Sequence, residues 1–168
     1  MKRILILLLA VLLTGCSTVK DAVSNFSTND LMFATMMVPH HEQAVLMSDL
    51  ALQKSANPEI IALANEIKNA QAPEITEMLS WGVSKMGSHA GHMMSGMLSE
   101  QEINELKESS GAAFDRLFLQ GMIKHHEGAI EMANEVINSV NSRVSGLAKT
   151  IIETQNAEIA KMKELLNR

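Results

Sequence analysis

One unit is used twice in this chain. Phe33, Met37, His40, Ala44, Met47 and Ala51 recur 85 residues later as Phe118, Met122, His125, Ala129, Met132 and Val136. Their alternating four- and three-residue steps are those of a helix presenting one apolar seam to a bundle. Leu63-Ala64, Gln71, Glu74-Ile75 and Met78 reappear 84 residues on as Leu147-Ala148, Gln155, Glu158-Ile159 and Met162. Between the two runs of each copy stand short turn-like stretches, Gln53 to Pro58 and Asn138 to Gly146. Two helical hairpins follow, and with them an all-α four-helix bundle without strands.

Local signals set the expected details. Asp30 and its equivalent Asp115 are plausible helix-start residues. Pro39 removes a backbone donor inside the first helix and should bend it near Thr35. Ser99-Glu100-Gln101-Glu102 offers a capping box for a short helix ending near Gly111. The long Gly/Ser/Met/His connection from Gly82 to Ser99 is expected to let the first helix of each hairpin run in the same direction. Trp81 is expected to cap one end of the bundle.

The first residues are read as a targeting device. Lys2 and Arg3 precede the apolar run Ile4 to Leu13, which is too short to span a membrane as a mature helix. Leu13-Thr14-Gly15-Cys16 resembles a bacterial lipobox, which implies cleavage after residue 15 and a lipid on Cys16. An ordinary signal peptide is the competing reading, but Cys16 is the only cysteine and stands where the lipobox needs one. Residues 16–29 then form a lipidated tether of about 20 Å by the flexible-coil estimate, and residues 30–168 form the domain. The expected place is the bacterial cell envelope, on the periplasmic side of the outer membrane in a Gram-negative cell, since Ser17 is not the aspartate associated with inner-membrane retention.

Composition excludes several functions. Removing Lys2 and Arg3 takes the formal charge from −5 to −7, which argues against a nucleic-acid partner. With its lone cysteine at the lipidation position, the mature domain has no thiolate for disulfides, zinc sites or catalysis. No Ser/His/Asp set or phosphate loop is present, and no enzymatic activity is expected.

All six histidines have a histidine neighbour: His40-His41, His89 with His92, and His125-His126. His40 and His125 occupy seam positions, and His41 and His126 flank them. Met37 and Met122 precede the flank histidines by four residues, one turn away on the same helix face. Counting outward from the hairpin turns places His40, His41, Gln71, His125, His126 and Gln155 in one middle layer, with Glu74 and Glu158 about one turn further. A His-Gln layer could hydrogen-bond itself and serve only to fix the bundle's register. Four imidazoles reinforced by two thioethers point instead to a metal. Imidazole suits zinc, copper, iron and nickel, whereas thioether selects copper(I) or its mimic silver(I), so copper(I) is the best fit and zinc a weaker one. Gln71, Glu74, Gln155 and Glu158 are candidate outer-shell partners. Met86, His89, His92, Met93, Met94 and Met97 offer the same ligand types in the connection, as a candidate second site or as a linker whose methionines pack as filler. Glu42 and Glu127 read as solvated helix residues.

The doubled pattern of Asp30, Phe33, Met37, His40-His41 and Ala44 with Asp115, Phe118, Met122, His125-His126 and Ala129 resembles the CopM-like family, formally a domain of unknown function. The resemblance covers about Asn29 to Leu166 and includes both Gln-x-x-Glu segments. It implies a ferritin-like four-helix bundle and, in the copper-binding members, exported proteins that bind copper through histidine and methionine and help cells tolerate it. Matched residue by residue, the implied ligands are Met37, His40, His41, Met122, His125 and His126. The expected function is therefore that of an exported lipoprotein binding copper(I), with silver(I) as its mimic, for buffering, tolerance or delivery, with its partner in metal transfer unidentified. Two alternatives stand beside it. One is a metal-free envelope module whose polar layer is structural; the other is a ferritin-like metal enzyme, although the Glu-x-x-His motif of di-iron sites is absent before all four bundle histidines.

Overall fold

The computed structural model describes residues 25–83 and 94–168, which form five helices and no strand. The signal segment, Cys16 and most of the tether lie outside the described residues, as do Met86, His89, His92 and Met93. The helices are α1 (Thr28–Lys54), α2 (Pro58–Leu79), α3 (Glu100–Glu108), α4 (Gly111–Asn134) and α5 (Ser142–Leu166).

Helix boundaries follow capping chemistry. Ser27 caps α1, its hydroxyl accepting from the Asp30 amide while Asp30 accepts from the Ser27 N–H at 2.7 Å. Asp30 is thus the third residue of a capping box rather than the cap, and α1 runs unbroken through Pro39. Asn57 caps α2 with Pro58 in its first turn, and Asn141 caps α5. The box at Ser99 and Glu102 starts α3, which stops at Glu108, short of Gly111. Gly111 instead opens α4, four residues before Asp115, which lies inside the helix. The second hairpin turn likewise comes early, because α5 starts at Ser142 and takes in Gly146.

The buried residues divide into two apolar clusters. One combines Phe33, Ala34, Met37 and Val38 of α1 with the end of α2, Ala129 to Val136 in and just after α4, and the start of α5. The other combines Ala44, Met47 and Ala51 of α1 with the start of α2, α3, Phe114 to Met122 of α4 and the end of α5. The first half of α1 therefore packs with the last half of α4, and Lys54 at the end of α1 donates to the Ser109 carbonyl just before α4. Helices α1 and α4 are antiparallel, contrary to the parallel arrangement expected from the sequence. The physical reason lies in the long connection. A short one would start α4 where α2 stops, parallel to α1; this one crosses the length of the bundle first. Trp81 closes the far end, stacked on Phe26 at 5.1 Å and donating to Glu77 at 3.0 Å.

The last part of the crossover is fastened to the bundle by two positions where the repeats differ. Gln43 of α1 both donates to the Leu98 carbonyl at 2.9 Å and accepts from its N–H at 2.8 Å. Its equivalent in α4 is Gly128, and a Cβ there would lie 2.0 Å from the Ser95 carbonyl oxygen. Gly96 faces it with a φ of +79°, close against the α4 backbone. Ser95 completes the attachment by donating to Glu131.

Gly128→Ala should destabilise the protein by about 1–3 kcal/mol, because backbone stands in the way of the new methyl group. Gly146→Ala, which meets nothing within 4 Å inside α5, should stabilise it by about 0.5–1 kcal/mol. Denaturant unfolding of both variants checks the pair, and equal effects would contradict the close contact at Ser95.

Candidate metal centre

Between the two apolar clusters lies a polar layer in which His40, His41, His125 and His126 are all fully buried, with Gln71 and Gln155 only 1% and 2% exposed. His40 meets its own repeat equivalent: the His40 and His125 ring centroids are 3.7 Å apart at an interplanar angle of 38°. Such a self-contact places the pseudo-twofold relating the hairpins between these rings. The flank rings stand further off, at 6.5 Å for His40–His41 and 6.3 Å for His125–His126.

One nitrogen of each imidazole is occupied. His125 Nε2–H donates to the His40 carbonyl at 2.9 Å, and His40 Nε2–H donates to the Ser95 carbonyl at 3.0 Å. Carbonyls only accept, which assigns the Nε2–H tautomer to neutral seam rings. The flank rings meet carboxylates: His41 Nε2 lies 2.7 Å from Glu74 and His126 Nε2 lies 2.6 Å from Glu158. Glu74 and Glu158 thus stand where carboxylates orient a ligating imidazole. Gln71 and Gln155 touch neither ring by a hydrogen bond.

The other nitrogen is bare. All four Nδ1 atoms are buried without a hydrogen-bond partner, and so are both polar atoms of each glutamine. Eight of the ten such atoms among the described residues therefore sit in this one layer. A self-satisfying His-Gln network would pair them, and it is not formed. Burial, helped by the neighbouring His41, holds His40 down at about 3 against the raising effect of the Ser95 carbonyl. Burial also pushes His125 well below its usual value, with the adjacent His40 adding to the effect. Both seam rings are neutral at pH 7, so a lone pair is free for an ion with no proton to displace.

The six expected ligands do not converge on one point. Met37 and Met122 are fully buried, but the first belongs to the Trp81-end cluster and the second to the opposite cluster. Because α1 and α4 are antiparallel, the two copies of the Met-x-x-x-His spacing, Met37 with His41 and Met122 with His126, fall on opposite sides of the twofold. Among the described residues no three His, Cys, Asp or Glu side chains form a ready-made metal group. Of the crossover residues, Met94 is buried and Met97 half-buried. Glu127 is exposed and lies 3.5 Å from Lys163. Sequence reasoning missed the Ser95 carbonyl and its supports Gln43 and Gly128. Their signal was the break in the repeat itself, glutamine in one copy and glycine in the other.

Comparison with known proteins agrees with the helical-bundle fold. A family model described as a domain of unknown function, DUF305, matches residues 30–166. A DUF305 fragment from Deinococcus radiodurans is 30% identical, with a TM-score of 0.76 over 84% of this chain and 97% of that one. CopM in its Cu(II)-bound form is 36% identical, with a TM-score of 0.73 over 82% and 95% of the two chains. In its Cu(I)-bound form CopM is 33% identical, with a TM-score of 0.69 over the same shares. No curated protein sequence matches the chain.

The depressed seam histidines predict an acid-labile metal-free fold. On unfolding below the usual pKa of 6.5, His40 and His125 each take up a proton that the folded state refuses. Their stabilising contribution is complete above pH 6.5 and is lost as the pH falls, down to about 3 for His40. The loss should approach about 1.4 kcal/mol per pH unit for each ring. Thermal unfolding of metal-free protein between pH 6.5 and 4.5, above the usual carboxylate range, should show a falling midpoint. A flat profile would contradict the buried neutral pair.

Proposed function

This chain belongs to the DUF305 family, a domain of unknown function, and we propose that it is an exported, lipid-anchored protein that binds copper(I) through paired histidine-methionine half-sites. The observation that carries this reading is the set of four buried Nδ1 atoms with no hydrogen-bond partner, beside four Nε2 atoms held in place. An orphaned buried acceptor is costly, and a bound cation supplies the missing partner. Met37 and Met122 add thioether sulfur, which favours copper(I) and silver(I) over zinc. The fold neighbour CopM has been crystallised in Cu(I)-, Cu(II)- and Ag-bound forms, which supports the same ions here.

In this reading the residues divide the work. His41 and His126 bind the ion, and Glu74 and Glu158 hold those rings in orientation. His40 and His125 form the central support and offer Nδ1 donors of their own. The apolar clusters on either side exclude water, so the ion is held without turnover, as buffering, tolerance or delivery requires. Cys16 would carry the lipid that keeps the protein at the periplasmic face of a membrane, and Met94 and Met97, with His89, His92 and Met93, would extend the supply of ligands along the crossover.

Anaerobic competition against a copper(I) chelator, with the full chain carrying Cys16→Ser, tests the proposal. Replacing His40, His41, His125 and His126 together with alanine should abolish bundle binding. Met37→Leu with Met122→Leu, which conserves volume, should weaken copper(I) binding and spare the fold. Glu74→Gln with Glu158→Gln should lower affinity about 10–100-fold. Unchanged affinity in the histidine and methionine variants would overturn the bundle site.

A further inference from the structure

Gln71 and Gln155 have no part in the scheme above. Each is almost fully buried, and neither Oε1 nor Nε2 of either residue makes a hydrogen bond. An apolar side chain of similar length would avoid that desolvation cost, yet glutamine stands at this position in both repeats. Gln71 lies three residues before Glu74 and Gln155 three before Glu158, which places each amide one helical turn from the carboxylate touching a flank imidazole. The amides therefore lie between the two apolar clusters, on the side of α2 or α5 that carries the carboxylate to a flank imidazole. The doubling persists although the twofold is broken nearby, where Ser95 serves His40 alone and Gln43 is matched by Gly128.

We propose that Gln71 and Gln155 are the oxygen donors of this site, each offering its amide Oε1 beside imidazole nitrogen when the ion is copper(II). The inference rests on the reading of the layer as a metal site, and it adds that each half-site accepts both oxidation states. Thioether selects copper(I), whereas copper(II) takes nitrogen and oxygen donors in a tetragonal set. The oxygen has to come from a group that is free. Glu74 and Glu158 are engaged with imidazole, and the amides are the neutral oxygens left over, able to enter the layer without adding buried charge. With the softer ion bound, the amides stay outside the donor set, so their removal separates the two oxidation states.

The experiment uses the full chain with Cys16→Ser, His89→Ala and His92→Ala, so that the crossover contributes no imidazole. Copper(II) affinity is measured by competition, copper(II) geometry by electron paramagnetic resonance, and silver(I) affinity as the redox-inert counterpart of copper(I). Gln71→Leu with Gln155→Leu should lower copper(II) affinity by no less than the loss of an outer-shell partner, about tenfold, and change the copper hyperfine splitting. The same variant should leave silver(I) affinity unchanged and raise the unfolding midpoint of the metal-free protein. Gln71→Glu with Gln155→Glu keeps the oxygens and should retain copper(II) binding. Unchanged copper(II) affinity and spectrum would overturn the proposal and leave the amides as partners of buried water. Equal losses for both ions would overturn it in favour of a packing role. Replacing the four bundle histidines in the same background separates the two levels: retained binding of both ions there would sink the metal layer itself.

Discussion

The contact of His40 with His125 organises this molecule. Two neutral imidazoles meet at 3.7 Å on the axis relating the hairpins, and each is held there by a backbone carbonyl rather than by a charged group. Burying them as cations would be prohibitive, which is why burial keeps them unprotonated. Once they occupy the centre, the apolar residues must divide into one cluster on each side. The flank rings then take the next positions around α1 and α4, and the carboxylates of α2 and α5 reach them from the outer helices. Seam, flank and methionine thus acquire distinct surroundings from one sequence motif used twice.

Two copies on a twofold would be equivalent if nothing crossed between them. The crossover removes that equivalence. Its final turn carries the Ser95 carbonyl to His40, whereas His125 turns to the carbonyl of His40. The sequence accommodates this locally, with glutamine where α1 must grip the Leu98 backbone and glycine where α4 must let Ser95 approach. The segment rich in methionine and histidine is therefore not merely a connection between hairpins. Its described end is hydrogen-bonded directly to a ring of the central layer.

The helices and the composition of the layer were legible because both depend on spacing along the chain. Period and turn position suffice to put Gln71 and Gln155 with the histidines between the two apolar clusters. The direction of α4 was not legible, since a repeated hairpin has the same pattern whether its copies lie parallel or antiparallel, and a long connection permits either. That single choice decides whether Met37 and Met122 meet or part. The beginning of α4 was misplaced for a different reason: Asp115 matches Asp30 in the repeat, but the chain before it, beginning at Gly111, can already be helical. The Nε2 partners of the flank rings required three-dimensional geometry, although the carboxylates themselves were visible in the Gln-x-x-Glu segments.

The unsatisfied atoms set a physical demand on the layer. A buried polar group without a partner costs about 1–3 kcal/mol, while a domain of this kind has a total stability of about 5–15 kcal/mol. Eight such atoms in one layer cannot all remain unmet without consuming much of that margin. Water can satisfy them in part, at the entropic cost of holding it in place. An ion that binds only the folded layer does more, because its binding free energy is added to folding; at a free concentration about 100 times its Kd the gain is about 2.7 kcal/mol. A layer composed of leucine would give a more stable bundle with nothing to bind. An ion bound to imidazole and amide in this buried layer would make binding and folding parts of one equilibrium.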